Sequence, residues 1–398
     1  MITKFTKFTE KNIPFKMELP DDIYQIKKEF DKYGKKLYVV GGAVRDLYLG
    51  KMPHDIDLVT DAEPEESKKI LKDFNVSDEQ GKNFGVLRIY TESEPLGYEL
   101  AVFRKDISKG RDTKGDTPKV EIGKHITIED DVRRRDLTQN ALFYDIDKGE
   151  IVDLVGGIDD IDNNVISAVG NASERFNEDR LRILRTIRFA ARNRSKISQS
   201  TIDAIQNDKR LRNISTIDDV SQERIVEEFE KSVEWSKKNN NINSLHYYLY
   251  LLDEYDLFDE MFPGLNININ DINTFNLILI YALLFRNNDI SKLKVKMPEY
   301  KIPSKYWKPA CFLLILIKEI DNLDRLEYLY KEKKRYDIDN NTIKEFAKLL
   351  NIKSRYLKAF LKYETTVNAE ELMDIGFKGA ELGAEIKKRE IENFKKLL

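Results

Sequence analysis

One cysteine, Cys311, in 398 residues excludes an internal disulfide framework and suits a reducing cytoplasm. Three scattered histidines, His54, His125 and His246, are too few for a His-rich metal site, so any metal is expected on carboxylates. No stretch approaches the roughly 18 uninterrupted apolar residues of a membrane span. The opening "MITKFTKFTEKNIPF" lacks the apolar core of a signal peptide, and a cytoplasmic location with no membrane partner is expected. Neither sign of charge dominates: 67 basic against 70 acidic residues leave a net −3. That balance neither requires nor forbids a nucleic-acid partner, because local patches decide.

What is present divides in two. At 398 residues the chain exceeds one ordinary core, so two or more domains are expected. Up to about residue 165, "KKLYVVGG", "DIDLVT", "FGVLRIYT", "YELAVFR", "ALFYDID" and "EIVDLV" read as strands. "AVRDLYLG" and "PEESKKILKDF" read as helices, the second with Pro64 in its first turn. From "SERFNEDRLRILRTIRFAARN" onward nearly every segment has helical periodicity, and Asn-rich joints at 237–243, 266–273 and 285–292 mark loops. The expected fold class is multidomain, α/β in front and all-α behind.

In "HDIDLVT", strand alternation aims Asp55 and Asp57 at one face and Ile56 and Leu58 at the other. Alone, such a pair reads first as an edge strand with an acidic face. Two neighbouring carboxylates also repel unless a cation lies between them, and hard ions such as Mg²⁺ favour oxygen ligands. The preceding "GGAVRD" tips the balance. Gly41 and Gly42 join a strand to a helix, where backbone N–H groups approach phosphate closely, and Arg45 falls in the helix's first turn. Phosphate cradle, cation and metal carboxylates together describe a nucleoside triphosphate site.

"GGAVRDLYLGKMPHDIDLVT" resembles the signature of the class II tRNA nucleotidyltransferases and bacterial poly(A) polymerases, which share a polymerase-β-like nucleotidyltransferase head. The resemblance implies a mixed-sheet catalytic head at 1–166, a helical neck that recognises the base at 167–232, a helical body at 233–330 and a tRNA-binding tail at 331–398. It implies Mg²⁺ on Asp55 and Asp57 and a third carboxylate, Glu99, from "YELAVFRKD". "EDDVRRRDLTQNALFYD" resembles the next motif and brings Arg135 to the nucleotide, Asp136 to nearby arginines, and Asn140. "IVDLVGGIDDI" and "VSQERIVEEFEKSV" are similar to later family segments. The likeness is thin from 233 to about 365.

"RFNEDRLRILRTIRFAARN" carries a chemical test. As one helix it sets Asp179, Arg182, Arg185 and Arg188 on a slowly winding basic stripe beside Leu181, Leu184 and Ile187. Cytosine and adenine both present an amino donor beside a ring-nitrogen acceptor. A carboxylate with an arginine satisfies that pair and leaves unpaired groups against uracil and guanine. In the family this motif is a protein template for CTP and ATP, and Glu178, Asp179 and Arg182 match it, with Arg185 and Arg188 directed at the triphosphate.

The end "DIGFKGAELGAEIKKREIENFKKLL" is similar to the tail of CCA-adding enzymes. The stretch from Arg104 to Val132 corresponds to a family loop tied to addition of the terminal A, though it departs from the usual Arg-Arg-Pro wording. The expectation is addition of C, C and A to the tRNA 3′ end from CTP and ATP, by a monomer or homodimer. Poly(A) polymerase activity, CC-only or A-only addition, and a catalytically silent RNA-binding protein are the alternatives. "SKLKVKMPEYKIPSKYWK" and "KEKKRYDID" interleave cations and aromatics, as solvated helix faces or as tRNA-backbone contacts.

Overall fold

The computed structural model describes residues 10–78, 86–106, 120–207 and 220–398. Residues 107–119, within the stretch assigned to A addition, therefore lie outside the described residues. The chain forms two compact units, the first built from residues 1–228 and 254–260, the second from 229–253 and 261–398; the division falls inside the helix Gln222–Lys238.

The first unit is organised by an eight-stranded sheet. Its order is Lys11–Pro14, Glu150–Asp153, Phe143–Asp145, Leu37–Val40, Asp57–Thr60, Tyr98–Val102, Leu87–Tyr90 and Asn75–Ser77. Every adjacent pair is antiparallel except Asp57–Thr60 with Tyr98–Val102, which run parallel with Leu58 beside Leu100. A parallel pair needs a crossover, and the helix Pro64–Ile70 and two further strands lie in that connection. All six expected strands of this region are present, as are both helices, with Pro64 in the first turn of its helix. The strands Lys11–Pro14 and Asn75–Ser77, at the two edges, carry too little alternation to be read locally.

Burial on both faces explains the apolar runs. Leu37, Val39, Leu58, Leu100 and Ile151 belong to one core, against which Ile56 also packs. Tyr38, Val40, Val59, Phe143 and Val152 belong to the other. Each such side chain taken fully from water contributes roughly 1.5–3 kcal/mol. Strand alternation thus puts Asp57 and Glu99 on the face opposite Leu58 and Leu100, and the register sets them side by side.

The 3₁₀ turn Thr138–Asn140 sits against the helix Gly157–Asp162. Asp153 terminates its strand by accepting from the N–H groups of Val155, Gly156, Gly157 and Ile158. Gly157 permits the close approach, because a Cβ there would stand 2.4 Å from the Thr138 carbonyl oxygen.

One expected element is corrected. The segment 172–193 is two helices, Ala172–Glu178 and Leu181–Asn193, with Asp179 extended between them at φ −151°. Its carboxylate accepts from the Leu181 N–H at 3.0 Å, a local bond that competes with helix continuation. Arg182, Arg185 and Arg188 share the second helix, but Asp179 is outside it. Arg188 is buried rather than on an outer face.

The second unit is helical among its described residues, as expected. Phe229, Tyr248, Phe262, Tyr281 and Phe285 form a connected set of ring contacts in its core. The Asn-rich joints at 237–243, 266–273 and 285–292 hold turns or loops at 239–241, 266–273 and 285–289, while 237–238, 242–243 and 290–292 are helical.

Gly157→Ala is expected to destabilise the first unit by about 2–3 kcal/mol through overpacking against Thr138. Chemical denaturation followed by a probe in that unit would measure it; a change within experimental error would mean the two segments separate freely.

Candidate active site

Asp55 is exposed just before its strand, while Asp57 is partly buried as the strand's first residue. Burial, then the charges of Asp55 and Glu99, raise the Asp57 pKa from 3.8 to about 6, against the opposing pull of Arg135 and Arg88. Glu99 itself is salt-bridged to Arg88 from the neighbouring strand. Among the described residues no three His, Cys, Asp or Glu side chains form a group able to hold a metal unaided. The Asp55–Asp57 pair nevertheless fits Mg²⁺, which is usually held by one or two carboxylates with substrate phosphates completing its shell. A cation there would also relieve the repulsion that raises Asp57.

Gly41 has φ 74° and ψ −128°, a backbone conformation that an L side chain strains to adopt. Its N–H pairs with the Leu142 carbonyl at 2.9 Å, and the helix Gly42–Tyr48 starts at once. Arg45, in that helix, is buried. It donates to the Asn140 Oδ1 at 2.6 Å and bonds Asp46 through Nε at 2.9 Å. The Asn140 backbone carbonyl in turn accepts from Arg135 Nη1 at 3.2 Å. Gly41, Arg45, Arg135 and Asn140 therefore meet, although they come from distant parts of the chain.

"RRRD" is not a solvated face. Fully buried Asp131 receives Arg135 through Nε and Nη2 at 3.1 and 2.9 Å, and Arg134 through Nε at 2.8 Å. Burial alone would raise the Asp136 pKa, but the charge and hydrogen bond of Arg185, at 2.7 Å, hold it below the usual value.

Base-reading candidates stand where the two helices meet. Arg182 donates to Glu178 at 2.8 Å and to the carbonyls of Arg175 and Arg134 at 3.1 and 2.7 Å. Asp179 presents one oxygen to Leu181 and the other to Arg224 Nη2 at 2.8 Å. Arg188 bonds Glu228 at 2.6 Å with both side chains buried. Arg224 and Glu228, four residues apart on one helix face, were missed as site residues. The only signal was their place in "VSQERIVEEFEKSV", whose spacing reveals no partner.

Comparison with known proteins gives a consistent result. Residues 37–167 match the family model described as the poly A polymerase head domain. The chain is 32% identical over 319 residues to the CCA-adding enzyme of Lactococcus lactis subsp. cremoris, covering 77% of this chain and 74% of that protein. It is 38% identical over 228 residues to the CCA-adding enzyme of Ligilactobacillus salivarius, covering 57% of this chain and only half of that protein. Poly(A) polymerase I of Salmonella typhi is 28% identical over 320 residues, with 78% of this chain and 64% of that protein covered. The Bacillus stearothermophilus CCA-adding enzyme in complex with CTP shares the fold at a TM-score of 0.66, with 23% identity over 94% of this chain and 91% of that one. A CCA-adding enzyme in complex with ATP does so at 0.67, with 20% identity over 95% and 91%.

The Asp57 shift has a testable sign. Its carboxyl titrates near 3.8 when unfolded and near 6 when folded, so folding weakens as pH rises between those values and the penalty is complete above 6. The penalty is on the order of 2–3 kcal/mol. Asp57→Asn should therefore raise the thermal midpoint of the metal-free protein at neutral pH, with the gain vanishing at or below pH ~4. Thermal melts in EDTA at both pH values decide; an equal shift at both would trace the effect to packing instead.

Proposed function

The chain belongs to the family of CCA-adding tRNA nucleotidyltransferases and bacterial poly(A) polymerases, and on that premise we propose that it adds C, C and A to the 3′ end of tRNA from CTP and ATP. The observation that carries this reading is the convergence of Asp55 and Asp57 with Arg45, Arg135 and Asn140 around the Gly41 turn. In the reaction the tRNA 3′-oxygen forms a new bond to the α-phosphorus, the bond to the bridging oxygen of the pyrophosphate breaks, and pyrophosphate leaves.

Each residue has a role that its surroundings support. Asp55 and Asp57 would hold Mg²⁺, which when bound supplies electrostatic stabilisation to the transferring phosphoryl group. Glu99, beside Asp57, adds to the negative field on the face where the 3′-hydroxyl is to lose its proton. The Gly41–Gly42 turn brings backbone close to phosphate, and Arg45 and Arg135 flank it. Asp136 holds Arg185 in place. Asp179 and Arg182 read the amino group and ring nitrogen shared by cytosine and adenine, with Glu178 steadying Arg182. In the second unit, Lys305 lies over Tyr306 at 4.8 Å and Lys308 over Trp307 at 5.7 Å, a surface suited to a phosphate backbone. No helix among the described residues is long and apolar enough to cross a membrane.

Extension of a tRNA transcript lacking its CCA end, with Mg²⁺ and each nucleotide alone or combined, tests the proposal. Addition that stops after C, C and A and needs both CTP and ATP is expected. A long A ladder from ATP alone would assign the chain to poly(A) synthesis, and arrest after CC to partial addition. Asp55→Ala and Asp57→Ala should each abolish the product.

Arg224→Ala should cut the preference for CTP over UTP by roughly tenfold, because Asp179 loses the contact that orients it. Single-turnover incorporation of each nucleotide measures the ratio. Equal slowing with both nucleotides would assign Arg224 to stability alone.

A further inference from the structure

Phe189 is the hub of four guanidinium groups. Arg188 and Arg192 each lie 4.7 Å from its ring centroid, Arg45 lies at 5.3 Å and Arg185 at 5.7 Å. Cation–π contacts of consequence occur about once per 70–80 residues, so four on one ring mark a built feature. Three of the arginines come from the helix Leu181–Asn193, on which positions 185, 188 and 192 share a face. Arg45 arrives from the helix that begins at Gly42.

The four differ in what they can reach. Arg45 and Arg188 are buried, tied to Asn140 and Asp46 and to Glu228 respectively. Arg185, which bonds Asp136, and Arg192 are only partly buried. Burial, together with the charges of Arg188 and Arg45, brings the Arg192 pKa down to about 9 despite the pull of Asp46 and Glu228. Like charges crowded this way gain when a polyanion joins them.

Position along the helix says which part of a nucleotide is in reach. Arg182 in the first turn is a base reader, and at 1.5 Å per residue Arg192 lies about 15 Å further along the axis. That distance is comparable with the span from base to terminal phosphate in an extended nucleoside triphosphate.

We propose that Arg192 is a polyphosphate-binding residue, stacked on Phe189 and engaging the β- and γ-phosphates of the incoming nucleotide and the pyrophosphate that leaves. It rests on the nucleotidyltransferase reading of the same site. The planar guanidinium offers its N–H edge to phosphate while its face stays on the ring, which a lysine does only in part.

Calorimetric titration of the full chain with CTP, CMP and pyrophosphate, with Mg²⁺ and without tRNA, is the test. Arg192→Ala should weaken CTP and pyrophosphate by roughly 10- to 100-fold and CMP by less than about twofold, with Arg192→Lys in between. Equal weakening of CTP and CMP, or no change in any, would overturn the assignment. Should the alanine variant fail to fold, Arg192→Gln and Arg192→Lys give the same comparison. A wild-type chain that does not extend tRNA, yet loses pyrophosphate binding on Arg192→Ala, would defeat the functional reading and support this one.

Discussion

The parallel register of two short strands is the constraint on which the site depends. With Leu58 beside Leu100, strand alternation leaves Asp57 and Glu99 adjacent on the other face, and Asp55 a short step away. Three carboxylates so placed are unfavourable by themselves. They persist because the apolar side chains between them are committed to two cores, one on each side of the sheet. Packing supplies the free energy that holds the acids in a geometry their charges oppose.

Around that acidic face the arginines are held from behind. Arg135 rests on buried Asp131, Arg185 on Asp136, Arg188 on buried Glu228, and Arg45 on Asp46 and Asn140. Each long side chain thereby loses rotamer freedom during folding rather than at binding. The carboxylates also lower the net positive charge that the fold must confine. Guanidinium groups held this way are oriented before any ligand arrives, which is the main advantage of a preorganised electrostatic site.

Local chemistry made much of this legible. The Gly41–Gly42 pair announces a strand-to-helix turn, at which Gly41 takes a positive φ, and Asp55-x-Asp57 follows from a period of two. The expected strands, the joint at 266–273 and the centres of those at 237–243 and 285–292 were visible for similar reasons. What was not legible is non-local or competitive. Nothing near Arg224 or Glu228 says that they meet Asp179 and Arg188, because those contacts cross some 40 residues of chain. The break at Asp179 was hidden because helical spacing runs unbroken through it, while a side-chain bond to the Leu181 N–H ends the first helix. Arg192 reads as one more basic residue until Phe189 is seen to collect its neighbours.

The sheet's edge strand Lys11–Pro14 pairs with Glu150–Asp153, so during synthesis it precedes its partner by roughly 140 residues. Until that partner emerges, the Lys11–Pro14 segment has no ladder to join. The 3₁₀ turn carrying Asn140 likewise lacks its support from Gly157. The contacts of Arg45 and Arg135 with Asn140 are thus unsupported until the chain through Gly157 has been made. The topology delays completion of the eight-stranded sheet until the strand Glu150–Asp153 has been made.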